Sequence, residues 1–551
     1  MAETEIQATF SDKKLRKALT TWDLLFLSLG GIIGSGWLFA ASGAAILAGP
    51  GAIFAWVIGG VIVLVIAIVY SELGSMIPRS GAIVRYGQFS HGNLAGYLFG
   101  WAYFLSAVSV PAIEAEAVIT YAATYVNKYV PLAHEHGALA GVLTPVGILL
   151  AALLMVFFFF VNYVGVRIMG KTNTVMTWWK LIIPAATVVI LVVVHFNVSN
   201  FYLSNGLVPY HWSAVFAAVS TSGIVFSFLG FRQALDYGGE AKTPQRSIPI
   251  ATIASVLIGI GLYSLLQLVF IGQINWTALG VTTGDWAALS GGVVTSPFAT
   301  LASSAGIVAL TYFLFADAYV SPSGTLNVYL GTSQRTLYGI GTLGYFPKRM
   351  IKVQEKHRIP VIPLVVSLLI GFLFFLPFPS WYKMVGFITS ATVFTYIVGG
   401  SALMTLRKHG KELHRPFTLK GASIIAPIAF IGASEIVYWS GWPLVGYLAI
   451  AIFLGLAVWA VMVYGFKAPG KFDAQSLKAG AWVPTYILVL TILSYIGEKT
   501  YGGIGIMPFP WDLVVVAVVA GVFYVWSLFS GYRTDEIDTM IKLGTQYIKE
   551  E

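Results

Sequence analysis

The sequence predicts an all-α integral membrane protein, and three observations carry that expectation. Of 551 residues, 57% are hydrophobic and only 10% are charged, against roughly 25% charged in an ordinary soluble domain. A window of about twenty residues, enough for a helix to cross the hydrocarbon core, finds fourteen apolar stretches centred from Ile33 to Val519. With the N-terminus placed in the cytoplasm, 27 of the 32 Lys and Arg residues fall on that side, the asymmetry that orients membrane proteins. An even number of spans with both termini cytoplasmic follows, and the cell membrane is the expected location.

Taken in order, residues 1–20 form a cytoplasmic basic tail with Lys13, Lys14, Arg16 and Lys17. The apolar run behind it exceeds the roughly 7 to 15 residues of a secretory signal core and reads as a retained first span. Residues 21–405 hold ten spans, and 406–420 ("LRKHGKELHRPFTLK") form a basic cytoplasmic connector. Residues 421–532 hold four additional spans, and 533–551 are a cytoplasmic tail. The net charge of +9 thus encodes orientation in the lipid bilayer, and no nucleic acid partner is expected. Absence of cysteine excludes disulfides and thiolate chemistry. Nucleophile-elbow, zinc-protease and Walker-type motifs are also missing, so an enzyme, a cofactor and ATP drive are not expected. The triplet at His134–His136 offers too few ligands for a metal. Energy must then come from a gradient or from exchange. A channel lacks its usual repeat of filter-forming residues.

Glycine interrupts the first span ("GGIIGSGWLF", Gly30 to Phe39) and the sixth ("GIVFSFLGF", Gly223 to Phe231). These positions correspond if spans one to five and six to ten form two inverted halves. Interrupted helices in matching places point to a substrate site near the midplane of a secondary transporter. Unwound backbone leaves N–H and C=O groups unpaired, which lipid does not tolerate unless they line a cavity or meet a ligand. Helix N-termini favour a carboxylate, and C-terminal ends favour an ammonium, so the pair suits both ends of an amino acid substrate. Close helix packing through small residues is the alternative reading.

Four segments then resemble one family. "GGIIGSGWLF", "YSELGSMIPRSGAIVRYGQFSHG" (Tyr70 to Gly92), "FSFLGFRQALDYGGEAKTPQRSIP" (Phe226 to Pro249) and "SGTLNVYLGTSQRTLYGIGTLGYFP" (Ser323 to Pro347) are similar, in register over residues 20 to 405, to amino acid/polyamine/organocation (APC) transporters. The resemblance implies a LeuT-like 5+5 inverted repeat with broken helices 1 and 6, followed here by the four additional C-terminal helices. It also implies alternating access and amino acid transport. By the same resemblance, backbone at Gly34, Ser35 and Gly36 would hold the substrate carboxylate. Carbonyls near Ile32 and Phe226 would take its amine, Phe226 would be an aromatic gate, and Phe228, Ser227 and Gly230 would line the cavity. Phe226 and Phe228 are equally readable as packing residues.

Two cations lie inside spans. Lys180 in "TWWKLIIP" stands nine residues beyond Lys171, about 14 Å into a core about 30 Å thick. A lysine at that depth is a functional hypothesis by default, able to exchange a proton. The resemblance implies that it fills the place of sodium in sodium-coupled relatives, between spans one, five and eight, with Ser321 or Ser323 nearby. A fixed structural charge is the alternative. Glu114 and Glu116 on span three lie about 200° apart around the helix, and Glu114 is the candidate for a polar network or proton relay. Glu72 and Glu240 are expected in closed-gate ion pairs with Arg79, Arg85 or Arg246. Arg232 departs from the acidic residue of many relatives, and the chain is most like their aspartate-proton symporter subgroup. The Arg232 fork suits a second carboxylate, or else pairs with Asp236 four residues on. The expected function is proton-coupled symport of an amino acid, weakly favouring aspartate and glutamate. A neutral or broad-specificity permease, an exchanger and a non-transporting nutrient sensor on the same fold are the alternatives.

Overall fold

The computed structural model describes residues 17–81, 83–134, 141–194, 196–203, 206–291, 295–376 and 380–550, without the side chains of 166–168 and 543–550. Lys13, Lys14, Arg16, Glu135, His136 and the Arg167 and Lys549 side chains lie outside the described residues. Among those described, helices build the molecule and β-pairing is limited to isolated bridges.

Helix α1 (Thr21–Ile32) starts on a reciprocal cap, in which Thr20 Oγ1 accepts from the Asp23 amide and Asp23 Oδ2 from the Thr20 amide. Such a cap satisfies two otherwise orphaned donors. The helix stops at the first glycine break and resumes as α2 (Ser35–Ala48). A Gly49-Pro50-Gly51 turn leads into α3 (Ala52–Met76), and α4 (Ile83–Val126) bends at Gly92, whose φ of 75° suits glycine. Helices α5 (Pro145–Tyr163) and α6 (Val166–Val194) follow. The second break comprises α7 (His211–Thr221), Gly223 at φ 95°, α8 (Ile224–Phe228), a 3-10 turn at Leu229–Arg232, and α9 (Gln233–Asp236). Next come α10 (Pro244–Gly272), α11 (Pro297–Ser304), α12 (Val308–Thr342), α13 (Val361–Leu373) and α14 (Trp381–His409). The last are α15 (Ala422–Trp439), α16 (Leu444–Ala460), α17 (Ala474–Gly480), α18 (Trp482–Ile496), α19 (Trp511–Ser530) and α20 (Asp535–Glu550).

Ten described stretches are long and apolar enough to cross a membrane, and eleven if α7 and Ile224–Asp236, bent by 45°, count as one. The number differs from the expected fourteen for physical reasons. Helices α2 and α3 run on through their turn as one 42-residue stretch, α1 and α13 are short, and α12 is studded with Ser, Thr, Asn and Gln.

Burial sorts the helices into layers. Helices α4 and α14 are buried along nearly their whole length, and α4 packs on both α12 and α14 while α3 packs on α10. At the periphery, Leu149, Leu153, Phe157 and Phe160 of α5 recur every three or four residues and are each more than half exposed. Val514, Val518, Val522 and Phe529 form the same stripe on α19, each at least half exposed. A wide apolar face of this kind needs lipid against it. Helix α15 lies along α14 and α3, so the C-terminal helices cover one flank of the helices that precede them.

Candidate functional site

The break between α1 and α2 is where three other helices converge. Built onto Gly34, a Cβ would lie 2.5 Å from Thr325 Oγ1 and 2.7 Å from Glu114 Oε1, so only glycine lets α12 and α4 come this close. Glu114 Oε2 accepts a hydrogen bond from the Ser35 amide at 2.8 Å, placing a carboxylate on the N-terminus of α2, where the helix dipole favours negative charge. Lys180 of α6 donates from Nζ to the Gly30 carbonyl at 2.6 Å and to Thr325 Oγ1 at 2.9 Å. Thr325 in turn donates to the Gly30 carbonyl at 2.8 Å. The freed carbonyl at the end of α1 is thus held by an ammonium and a hydroxyl, the charge preference expected of a helix C-terminus. Lys180, Glu114 and Thr325 are all fully or almost fully buried.

The second break packs on the first backbone to backbone. A Cβ on Gly230 would collide with the Ile32 amide and the Gly31 carbonyl carbon, so this glycine fixes the spacing of the two interrupted helices. Beyond it, Arg232 is wholly buried in a cage of tyrosines, its guanidinium 4.5 Å from the Tyr103 ring centre and 5.1 Å from that of Tyr329. Its Nη1 donates to Ser106 Oγ at 3.1 Å, and Ser106 also bonds Thr392. Nε and Nη2 have no acceptor. Tyr329 and Tyr396 approach the guanidinium, but neither completes a hydrogen bond of ordinary geometry. A buried guanidinium keeping two donor atoms unmet is costly, and the planar fork they form matches a carboxylate.

Several expectations are corrected. The Ile32 carbonyl is already engaged, by Tyr263 Oη at 2.8 Å and the Gly34 amide at 3.1 Å. The carboxylate found at Ser35 is that of Glu114. Lys180 hydrogen-bonds Thr325 and neither Ser321 nor Ser323; Ser321 donates to Asp317 at 2.8 Å, while Ser323, two residues on, turns to another face of the helix. Arg232 and Asp236 form no salt bridge. Four residues of partly 3-10 winding rotate the pair apart, and Tyr103 stands between them, donating to Asp236 Oδ2 at 2.5 Å. Phe228 packs against Trp56 and Tyr263 between α3 and α10, which makes it a core residue. Phe226 meets the edge of Trp381 with ring centres 6.0 Å apart, and Ser227 donates to the Gly223 carbonyl at 2.8 Å while abutting Gly36.

The acidic residues expected in gate ion pairs choose other partners as well. Glu72 takes a two-pronged bond from Arg407, at 2.9 and 2.5 Å, and also accepts from the Leu419 amide, with Arg415 at 3.8 Å. It therefore anchors the basic connector. Glu240 pairs with Arg335 at 2.5 Å, whose guanidinium stacks 4.0 Å from the Tyr237 ring centre. Arg79 donates to Met540 Sδ and Arg85 to the Ser80 carbonyl, while Arg246 is exposed. The second span-three acid, Glu116, is fully buried with both oxygens unpartnered.

Four residues at the site were not foreseen. Trp381 donates to Ser35 Oγ at 2.7 Å and stacks on Phe39, covering the start of α2. Tyr263 and Thr325 hold the break itself. Asp317 accepts from Trp37 Nε1 at 3.0 Å; as an acid within the apolar stretch "FLFADAYV", it answers to the same rule that singled out Lys180.

Two interrupted helices meeting around buried and partly unmet charges, in a bundle with a lipid-facing surface, define a multi-pass membrane transporter. The family model for amino acid permeases matches residues 19–492. The chain is 39% identical to the glutamate/serine transporter AimA of Bacillus subtilis, over 97% of this chain and 98% of that one. It is 34% identical to the aspartate-proton symporter of the same organism, over 95% and 98%, and 24% identical to its branched-chain amino acid permease BcaP, over 82% and 94%. The chain belongs to the amino acid permease family. Its relatives are transporters, and an enzymatic role is not indicated.

Proposed function

We propose that the protein is a proton-coupled importer of acidic amino acids in the cell membrane, working by alternating access. The observation that carries the acidic preference is Arg232, a buried guanidinium with Nε and Nη2 unmet inside an aromatic cage. A substrate side-chain carboxylate supplies the missing acceptors. Lys180, which bridges spans one and eight through Gly30 and Thr325, is the proton-coupling group, and Glu114 belongs to the same network. In this reading the substrate's own carboxylate binds at Gly34 to Gly36 when Glu114 yields the Ser35 amide. The two relatives named for glutamate and aspartate support an acidic substrate.

The proposal includes fourteen crossings, the first ten as two inverted halves within 21–405, the connector 406–420, the four further helices within 421–532 and both termini in the cytoplasm. Support comes from the two glycine breaks at matching positions and from the cationic bias of the cytoplasmic segments.

The test is uptake of radiolabelled aspartate into proteoliposomes with an inward proton gradient imposed or absent, with unlabelled glutamate, serine, alanine, leucine and arginine as competitors. Gradient-dependent accumulation with competition by glutamate is expected. Competition by neutral amino acids alone overturns the acidic reading and returns Arg232 to a structural role.

A further inference from the structure

Asp317 is a buried acid to which the transport reading above gives no role. It is fully buried on α12, and each of its oxygens has one neutral donor: Ser321 Oγ at 2.8 Å on Oδ1 and Trp37 Nε1 at 3.0 Å on Oδ2. The second bond joins residues 280 apart in sequence and fastens α2, the outer half of the broken first span, to α12. The groups facing Asp317 are Lys180 and Trp179 of α6 and Tyr121 of α4, besides Trp37 and Ser321. Lys180 feels the charge of both Asp317 and Glu114, yet no salt bridge forms among the three. A fixed structural pair would bring opposite charges into contact, since separated buried charges are expensive. Carboxylate, ammonium and carboxylate are here held apart by neutral donors and acceptors around the span-one break. That arrangement suits a proton that moves.

We propose that Asp317 is a second proton-binding residue of the transport cycle, and that its proton controls the clasp between Trp37 and α12. The inference rests on the proton-coupled reading above. Eight residues before Thr325, Asp317 stands about 12 Å farther along α12, toward the outside in the proposed topology. A proton from external water adds to one carboxylate oxygen and gives a neutral carboxyl. It leaves again to water, or to an unprotonated Lys180 amine, which becomes the ammonium while the carboxylate is restored. The indole N–H keeps its hydrogen throughout. Its bond to a carboxylate is about twice as strong as to a neutral acceptor, so protonation loosens the clasp and frees α2 to move relative to α12. Asp317 acts on the substrate site through α2 and is a positioning as well as a proton-binding residue.

The experiment compares wild type, Asp317→Asn, Asp317→Glu and Trp37→Phe in proteoliposomes, using radiolabelled aspartate. Each is measured in counterflow exchange at equal pH and in net uptake against external pH. Asp317→Asn keeps an acceptor for Trp37, so it is expected to retain exchange and to lose stimulation of net uptake by acidic external pH about tenfold or more. Trp37→Phe is expected to keep that stimulation with a changed half-maximal pH. An Asp317→Asn protein with the wild-type pH profile overturns this inference and leaves the proton-coupled reading intact. Wild-type uptake that ignores the gradient overturns both. Should Asp317→Asn lose exchange as well, Asp317→Glu decides: recovered pH stimulation supports proton binding at this position, and an inactive Asp317→Glu assigns the carboxylate to structure alone.

Discussion

Two fully buried cations, Lys180 and Arg232, are held in opposite ways. Lys180 is held by its surroundings, with a backbone carbonyl and a hydroxyl on its ammonium and Glu114 and Asp317 close enough to feel its charge. Arg232 is equally buried, yet it has one hydrogen bond, two aromatic faces and two donor atoms with nothing to bind. A satisfied buried charge holds elements together, and an unsatisfied one is tolerated where a ligand arrives to complete it. In the proposed reading, the difference separates the group that couples protons at the span-one break from the group whose open fork receives the substrate carboxylate.

The sharpest way to break this comparison is Arg232→Gln. A carboxylate on the Arg232 fork is worth about 3 kcal/mol, so initial-rate aspartate uptake should fall about 100-fold. Arg232→Lys, lacking the planar fork, should recover only part of it. Undiminished uptake would place the substrate elsewhere. Next in size is Lys180→Met, for which accumulation under an imposed pH difference should drop about tenfold or more, since the proposed proton-coupling amine is gone from the break. If that variant still concentrates aspartate against its gradient, Lys180 is a fixed structural charge. Gly34→Ala probes how tightly the break beside Lys180 is packed. Its new methyl meets Thr325 and Glu114 and should cost about 1–3 kcal/mol, seen as a lowered melting temperature in detergent.

The smallest effect belongs to the tail. Glu536 on α20 accepts from Gln88 at 2.6 Å, and burial holds its carboxyl above the usual carboxylate range, with the Gln88 bond opposing. A carboxyl whose pKa is raised on docking binds its proton more readily docked than free. Docking is therefore fully supported below the ordinary carboxylate range, near about 4, and weakens as pH climbs through the raised value. Hydrogen-exchange protection across residues 532–542, taken relative to the intrinsic amide rate at each pH, should fall with rising pH, and Glu536→Gln should flatten that dependence. An unchanged profile in the variant would assign the pH response to another group.

Much of the architecture is legible one residue at a time. The apolar windows mark where helices lie, the glycines at 30–36 and 223–230 mark where two of them break, and counting from Lys171 puts Lys180 deep in its span. Asp317 was open to the same depth argument, because an acid within an apolar stretch stands out by itself. The pairings were not legible. Lys180 and Thr325 are 145 residues apart, Ser35 and Glu114 79, and Glu72 and Arg407 335, so local spacing could nominate only nearer and wrong partners.

The sequence by itself determined the class of solvent, the course of the helices, their breaks and the presence of two buried cations, since hydropathy, glycine and charge act locally. Only the tertiary structure decided which carbonyl and hydroxyl hold Lys180, that Tyr103 separates Arg232 from Asp236, and that Trp37 clasps Asp317. Those outcomes depend on which helix faces meet. The facing of helices is set by the packing of the whole bundle, in which each buried polar group competes for the few partners brought within reach.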